Sequence, residues 1–316
     1  MPSTEREPMT DNPVGAPTAM SQRVGPASGG ADSNRSRRVG NYLPLLPFHA
    51  YVGVFLVVPT LIVTVGAFSA SSGGITLDNI GSIFTNEAFV DSFVTSIELA
   101  IATAITGAIF GGLLAWAVVR GDPNGLLRQL VIAGSGVLAQ FGGVMLAFAF
   151  FATFGTKGLA TVVIQNVIHE TPDVLWLFSL RGLAVVYTYF QIPLMLIVFL
   201  PSLDGLRQEW YDASASLGGG AWSFWRHVGG PILAPSFLGA LLLLFTNAFS
   251  AYATAAAIIS QGCTLVTLQI ACQMQSEIVL GQENVGKALA LGMIVIVSAV
   301  MAIYALIQQR ASRWVR

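Results

Sequence analysis

Residues 209–235 read EWYDASASLGGGAWSFWRHVGGPILAP, a polar and aromatic stretch broken by glycines. Long apolar runs precede and follow it in a chain that has few other polar segments of this length. A polar segment of this size between two apolar runs is typical of a docking surface for another protein. This interpretation holds only if the stretch faces the cytoplasm, so the topology of the whole chain has to be considered first.

The composition indicates a membrane protein. The chain has 316 residues, of which 54% are hydrophobic and only 10% are charged, and its mean hydropathy is +0.70. Soluble globular proteins carry about 25% charged residues, so lipid is the natural solvent for the excess apolar surface. The net charge of −1 gives no electrostatic reason to expect a nucleic-acid partner.

Six apolar segments are each close to the roughly 20 residues that a helix needs to cross a bilayer. We place them at about 43–68, 94–119, 129–154, 181–200, 232–259 and 287–308. They must be helices, because lipid offers no partners for backbone groups and the runs are too uniformly apolar for barrel strands. The sequence therefore predicts an all-α membrane protein with six transmembrane helices in residues 42–316. Residues 1–41 lack apolar periodicity and are predicted to be a disordered cytoplasmic tail.

The basic residues predict the orientation. If the N-terminus is inside, twelve of the fifteen lysines and arginines fall on the inner side, and only Lys157, Arg181 and Lys287 fall on the outer side. This bias predicts that both termini are cytoplasmic. The opening stretch then belongs to a cytoplasmic loop at about 201–231, and the outer loops are 69–93, 155–180 and 260–286.

The cytoplasmic loop is predicted to be a helix–turn–helix. Residues Asp204 to Leu217 are predicted to be one helix, which the glycines at 218–220 end because they tolerate a positive φ. Ala221 to Val228 can form a second, short helix before the fifth span. Five aromatic residues are predicted to be exposed, either as anchors for a partner's pocket or as anchors on the lipid surface; they are Trp210, Tyr211, Trp222, Phe224 and Trp225.

Polar side chains inside spans are costly and are candidates for a solute pathway. The candidates are Gln140, Gln191, Asn247, Ser250 and Tyr252. The alternative is that they form hydrogen bonds between helices and only hold the bundle together.

Residues with catalytic or metal-binding chemistry do not converge in the predicted topology. In this topology His49 lies at the inner mouth of the first span, His169 in an outer loop and His227 in the cytoplasmic loop, so they cannot form one site. No phosphate-binding glycine loop with a lysine occurs in the sequence. Cys263 and Cys272 share the third outer loop, where they are either two unpaired thiols, which we favour slightly, or a disulfide in an oxidising exterior. We therefore expect neither enzymatic activity nor a cofactor on this chain.

The loop resembles the signature loop of ABC importer permeases. The family pattern has Glu-Ala-Ala, then Leu-Gly-Ala, an aromatic residue, Val or Ile, Leu-Pro and a later Pro, between two spans near the C-terminal end. Here the matching residues are Asp212, Ala213, Ser214, Leu217, Gly218, Phe224, Val228, Pro231 and Pro235. The sequence departs from the pattern at Asp212 (usually Glu), Ser214 and Gly219 (usually Ala) and Gly230 (usually Leu).

The resemblance covers roughly residues 45–310 and implies a type I importer permease. It implies that Asp212, Ala213, Ser214, Leu217 and Gly218 couple the spans to a cytoplasmic ATPase dimer, which would hold ATP and Mg²⁺. It further implies a second permease subunit, an extracytoplasmic solute-binding protein and a place in the bacterial inner membrane. Residues 142–148 and 154–158 are similar to the polyamine, iron and phosphonate branch, which implies a polyamine-like solute and a different chain as the second permease.

A protein of another class would be a secondary transporter or channel that needs no ATPase. Such proteins usually carry acids deep in the membrane, or inverted repeats with broken helices. The sequence shows neither a deeply embedded acid nor an evident repeat.

Overall fold

The computed structural model describes residues 46–70, 73–168, 173–259, 262–275 and 283–312. The predicted tail at residues 1–41 and the predicted site of His169 lie outside these ranges. The chain divides into two compact units, Met1–Val58 and Pro59–Arg316. In the first unit, the described residues form helix α1 (Leu46–Val52) and a π-helical turn (Gly53–Val57), and residues 47–57 are exposed or half-buried.

The second unit is built of helices throughout its described residues. In chain order they are α2 (Val58–Ala67), α3 (Asp78–Thr85), α4 (Glu87–Arg120), α5 (Leu126–Gln140), α6 (Gly143–Phe154), α7 (Leu159–Ile168), a 3₁₀ turn (Leu175–Phe178), α8 (Leu180–Asp204), α9 (Gln208–Ser216), α10 (Ala221–Phe224), a π turn (Trp225–Gly229), α11 (Gly230–Ser250), α12 (Ala253–Ile258), α13 (Val266–Gln275) and α14 (Glu283–Ser312).

Six helical segments of the described chain are long and apolar enough to cross a membrane, which confirms the predicted number of spans. They are Pro47–Ala67, Glu87–Arg120, Gly143–Val167, Leu180–Asp204, Ala221–Ser250 and Glu283–Gln309. The protein is therefore a multi-pass membrane protein, as its composition predicts.

Helices α4 and α8, the second and fourth spans, lie against each other along most of their length. A Cβ atom on Gly107 would lie 2.5 Å from Cβ of Gln191, and one on Gly111 would lie 2.5 Å from the carbonyl oxygen of Ile192. Only glycine allows such a close approach of two backbones. Because residues 107 and 111 meet residues 191 and 192–195 in the same order, the two helices run parallel.

Two clusters of buried side chains follow this helix pair. One surrounds Leu196, Phe199 and Leu200 of α8, with alanines of α4 and with Leu233 and Leu244 of α11. The other surrounds Tyr187 and Phe190 of α8 and includes residues of α6, α11, α12 and α13. Helix α8 is therefore the central element of the bundle.

The predicted third and fifth spans, 129–154 and 232–259, are each interrupted in the structure, and the corresponding long apolar segments are Gly143–Val167 and Ala221–Ser250. We call the two interruptions the breaks in the third and fifth spans. The predicted span 129–154 is two helices, α5 and α6, separated at Phe141 and Gly142, and Gly143 at the start of α6 has a φ of +68°. The predicted span 232–259 ends at Ser250, and α12 begins three residues later at Ala253. Hydropathy did not reveal these breaks, since a few polar residues such as Gln140 and Ser250 do not interrupt the long apolar runs on both sides of each.

The third outer loop, predicted at 260–286, contains the buried helix α13. Leu265, Val266 and Leu268 belong to the same buried cluster as Tyr187, and the amide of Val266 donates a hydrogen bond to Oγ of Ser96 at 2.8 Å. Cys263 and Cys272 are joined by a disulfide. The preference for two unpaired thiols was therefore wrong.

Candidate functional site

The loop between the fourth and fifth spans carries helix α9 and a tight glycine turn. The amide of Gly218 donates to the carbonyl of Ala215, and the amide of Gly219 donates to the carbonyl of Ser214, both at 2.9 Å. Gly218 has a φ of +79°. This is the Schellman arrangement, in which a residue with left-handed backbone ends a helix and satisfies its last carbonyls. The positive φ expected among the three glycines is thus confirmed at Gly218.

Two departures from the permease pattern, Ser214 and Gly219, contact each other. A Cβ atom on Gly219 would lie 2.8 Å from both the carbonyl oxygen and Oγ of Ser214. Both the backbone of residue 214 and the serine hydroxyl therefore oppose a side chain at 219. The turn is held by two hydrogen bonds and by this close contact, so its extra glycine does not loosen it.

Helix α9 begins at Gln208 rather than at the predicted Asp204, because Asp204 still belongs to the fourth span. Its outward face carries Glu209, Asp212 and Ser216, which follow helical spacing and are all exposed. Within the described structure, Asp212 is contacted by Nε2 of Gln208 at 3.3 Å and by no cation. The carboxylate is therefore available to a basic group on another protein.

A second face of α9 lines a groove of about 520 Å³ that opens toward the π turn. Ala213, Ser214 and Leu217 lie in this groove, together with Trp210 of α9 and with Ser223 and His227 from the opposite wall. Leu217 is 89% exposed, so its side chain is accessible to a partner. The five predicted coupling residues thus occupy an acidic outer face (Asp212), an apolar groove (Ala213, Ser214, Leu217) and the turn itself (Gly218).

The loop is attached to the bundle by aromatic side chains, which corrects the prediction that all five are exposed. Phe224 is buried, and its ring lies 5.3 Å from that of Tyr211 and 5.7 Å from that of Trp225. Trp225 in turn packs against the buried cluster around Leu200. Trp222 remains 77% exposed. Phe224 and Trp225 therefore act as anchors within the chain, and Trp222 is the aromatic side chain most available to a partner.

An ion pair connects the start of this loop to the third span. Nη2 of Arg128 in α5 lies 2.6 Å from Oδ2 of Asp204 at the end of α8. Sequence analysis did not pair these residues, since they are 76 positions apart. A displacement of the loop would be transmitted to α5 through this contact.

The predicted pathway residues occupy different environments. Gln191 is fully buried, and its Nε2 donates to the carbonyl of Leu244 at 3.2 Å, so it links two helices. Gln140 is the last residue of α5, directly before the break in the third span. Ser250 and Tyr252 flank the break in the fifth span and are exposed, and Asn247 lies one turn before it, half-buried.

The two breaks lie close together and are stabilised by hydroxyl groups. Oη of Tyr187 donates to the carbonyl of Ala251 at 2.7 Å, and Oγ1 of Thr254 donates to the carbonyl of Gly143 at 3.2 Å. The first bond satisfies the carbonyl of Ala251, which follows the last residue of α11 and has no intrahelical partner, and the second joins α12 to the first residue of α6. Tyr187 and Thr254 were missed by sequence analysis; the Gly142–Gly143 pair was the signal that could have indicated a break.

Metal-binding clusters are not found in the described ranges, where no group of three or more His, Cys, Asp or Glu side chains is suitably placed. His49 and His227 lie on different elements of the chain. The distinctive features of the molecule are the loop and the paired breaks.

Comparison with known proteins gives matches in structure only. No protein-family model and no curated protein sequence matches the chain. The structure is similar to that of a bacterial ABC transporter involved in the import of the acidic polysaccharide alginate, with a TM-score of 0.67 and 14% identity, covering 89% of this chain and 98% of the other. A bacterial alginate ABC transporter in complex with a periplasmic protein bound to an alginate pentasaccharide gives a TM-score of 0.65 and 15% identity, covering 88% and 96%. The chain therefore has the fold of an ABC importer permease, as its sequence predicts.

Proposed function

We propose that this protein is the permease subunit of an ATP-driven importer and that α9 is its coupling helix. The observation that carries the proposal is the loop between the fourth and fifth spans, where α9 ends in a Schellman turn at Gly218 and presents Asp212 outward without a cationic partner in the described structure. The sequence pattern around it and the overall fold agree with this assignment.

In this proposal the outward face of α9 binds an ATPase subunit. Asp212 pairs with a basic residue of the ATPase, and Trp222 and Leu217, both largely exposed, supply apolar contacts. Burying Asp212 without such a partner would be strongly unfavourable, so the charge also selects the correct surface. ATP and Mg²⁺ are held by the ATPase dimer, and closure of that dimer moves α9.

Movement of α9 reaches the spans by two routes. Phe224 and Trp225 transmit it to the cluster around Leu200, and the Arg128–Asp204 pair transmits it to α5. Because α5 ends at the break in the third span, its motion can change the geometry of the paired breaks. Gln140, Asn247, Ser250 and Tyr252 lie at or next to these breaks, and as polar side chains within the bundle they are candidates to line the solute pathway.

The distribution of basic residues supports a cytoplasmic loop and cytoplasmic termini. With that orientation the Cys263–Cys272 disulfide would lie on the outer side, where an oxidising compartment such as the bacterial periplasm would maintain it. The protein would then lie in the inner membrane. An extracytoplasmic binding protein would deliver the solute, and a second permease, in our proposal a different chain, would complete the pathway. A polyamine-like solute is the first to test.

Co-purification tests the proposal directly. The tagged full chain, solubilised in mild detergent from its own host, should retain an ABC ATPase, and a D212K variant expressed at the same level should lose it. A secondary transporter or channel would be recovered without an ATPase. Recovery of the wild-type chain as an active transporter in vesicles that contain no ATPase would overturn the proposal.

A further inference from the structure

A pocket of about 280 Å³ lies where the second and fourth spans meet the loop. Its walls come from the end of α4, the end of α8, the start of α9 and helix α10. They include Arg120 and Arg207, and the remaining side chains are Trp116, Val119, Leu203, Leu206, Gln208, Tyr211, Ala221, Phe224 and Trp225. No acidic side chain is among them, although the neighbouring loop carries three acids.

Those three acids are directed elsewhere. Asp204 is paired with Arg128, and Glu209 and Asp212 lie on the outward face of α9. Neither Arg120 nor Arg207 forms an ion pair within the described chain. Two guanidinium groups thus share one concave site without a counter-charge, which is the arrangement of an anion-binding site.

Arg120 is held in position by Trp116. Its guanidinium carbon lies 4.1 Å from the centre of the Trp116 ring. A cation–π contact of this kind involves no hydrogen bond from the guanidinium group, so its N–H donors can still bind an anion. Arg207 stands one helical turn before Tyr211, which lines the same pocket.

We propose that this pocket binds the phosphate group of an anionic lipid. Arginine forks match phosphate oxygens, and basic pockets at the ends of spans are suited to lipid headgroups. The apolar part of the pocket favours a lipid over a free anion: Trp116 leads to Leu113, one turn further along the span, and these side chains are 37% and 56% exposed. An acyl chain can therefore lie along α4 while the phosphate contacts the arginines.

The bound phosphate would connect two parts of the molecule that have different roles. Arg120 belongs to a span, whereas Arg207, Gln208 and Tyr211 belong to the start of α9 and its preceding residue. Occupation of the pocket ties the start of α9 to the end of α4. The lipid would then stabilise one position of the loop relative to the bundle, which makes the activity of the transporter dependent on membrane composition.

Lipid binding to the purified full chain tests this site. Native mass spectrometry should show that phosphatidylglycerol binds at least about tenfold more tightly than phosphatidylcholine, because both lipids offer a phosphate but the choline cation of the second is repelled by the two guanidinium groups. R120Q and R207Q should each remove this preference. R226Q is the matched control, because Arg226 is exposed on the same loop but does not line the pocket. Thermal unfolding of each variant verifies that it is folded. R207K keeps the positive charge but removes the guanidinium group that can make two parallel hydrogen bonds to a phosphate.

The outcomes separate a lipid from a free anion. If millimolar inorganic phosphate does not displace phosphatidylglycerol, the lipid is the occupant; if it does, the pocket is a phosphate site for which the acyl chains contribute little. Equal affinity of the wild-type chain for the two lipids would overturn the proposal. So would an equal loss in R226Q, because the attraction would then be a general effect of surface charge.

Discussion

The glycine turn after α9 and the paired breaks in the third and fifth spans both interrupt helices, but they satisfy the freed backbone groups in different ways. The turn is local: Gly218 and Gly219 donate to carbonyls three and five residues earlier in the same helix. The breaks depend on distant hydroxyl groups, those of Tyr187 and Thr254. In water a short loop can satisfy its own backbone, whereas inside a membrane the neighbouring helices must supply the partners.

This difference predicts where each interruption is vulnerable. A change at the turn should act mainly on function, because water can satisfy any carbonyl that is released. A change at the breaks should act mainly on stability, because a released carbonyl in the buried cluster has no alternative partner.

The largest expected effect is on transport, in G218P and D212K. Proline fixes φ near −65° and lacks the N–H that Gly218 donates to Ala215, so the turn cannot form. The lysine reverses the charge on the outward face of α9. Both variants should abolish solute uptake in reconstituted vesicles while inserting into the membrane as the wild type does. Uptake at the wild-type rate by either assembled variant complex would contradict the coupling role.

The next effect is on stability, in Y187F. This change leaves the carbonyl of Ala251 without its donor, which should cost about 1–3 kcal/mol and lower the thermal midpoint in detergent. Y189F is the matched control, because Tyr189 lies in the same helix and its hydroxyl makes no hydrogen bond within the described structure; its change should stay within about 0.5 kcal/mol. If Y187F and Y189F had equal thermal midpoints, the breaks would not depend on the Tyr187 hydroxyl, and the proposed difference between the turn and the breaks would be wrong.

A smaller effect is expected for G218A. An alanine at a φ of +79° costs about 1–2 kcal/mol per residue, but fraying of the exposed end of α9 can relieve part of it. G220A is the control, because Gly220 has a φ of −80° and a Cβ atom there would contact nothing within 4 Å. Hydrogen exchange of the α9 amides should be faster in G218A and unchanged in G220A. If both variants exchange alike, the turn does not depend on left-handed backbone.

The smallest effect on stability concerns the Arg128–Asp204 pair. Its side chains are 16% and 38% exposed, so a double-mutant cycle with R128Q and D204N should give a coupling energy below about 1 kcal/mol. The same variants should reduce the uptake that each hydrolysed ATP supports, because the link from the loop to α5 is lost. Unchanged coupling of hydrolysis to uptake would mean that the loop acts on the spans only through its aromatic anchors.

The turn was predictable from the sequence and the breaks were not, because the two features differ in how far apart in the chain their interacting residues are. Gly218 and the helix before it are adjacent in the chain, so a local pattern contains the whole structure. Tyr187 and Ala251 are 64 residues apart, and Thr254 and Gly143 are 111 apart. No local pattern indicates such a bond. The six spans were predictable because hydropathy alone requires them.

The burial of Phe224 and the formation of the disulfide also could not be predicted from the sequence. Helix α10 has four residues, which is too short for periodicity to show which side is buried. A spacing of nine residues between Cys263 and Cys272 permits a disulfide without requiring one; the fold of α13 determines whether the sulfur atoms meet. In both cases the outcome depends on tertiary packing.

The glycine contacts between α4 and α8 have a mechanical consequence. Helices that touch backbone to backbone at Gly107 and Gly111 cannot rotate about their own axes or slide without collision. They form a closely packed pair, whose 25-residue member α8 extends about 37 Å at 1.5 Å per residue and has Pro193 and Pro201 within it. A tilt imposed at Asp204 should therefore move the packed stretch of both helices together, and Pro201, which removes a backbone hydrogen bond between Asp204 and that stretch, is the point at which α8 can bend instead.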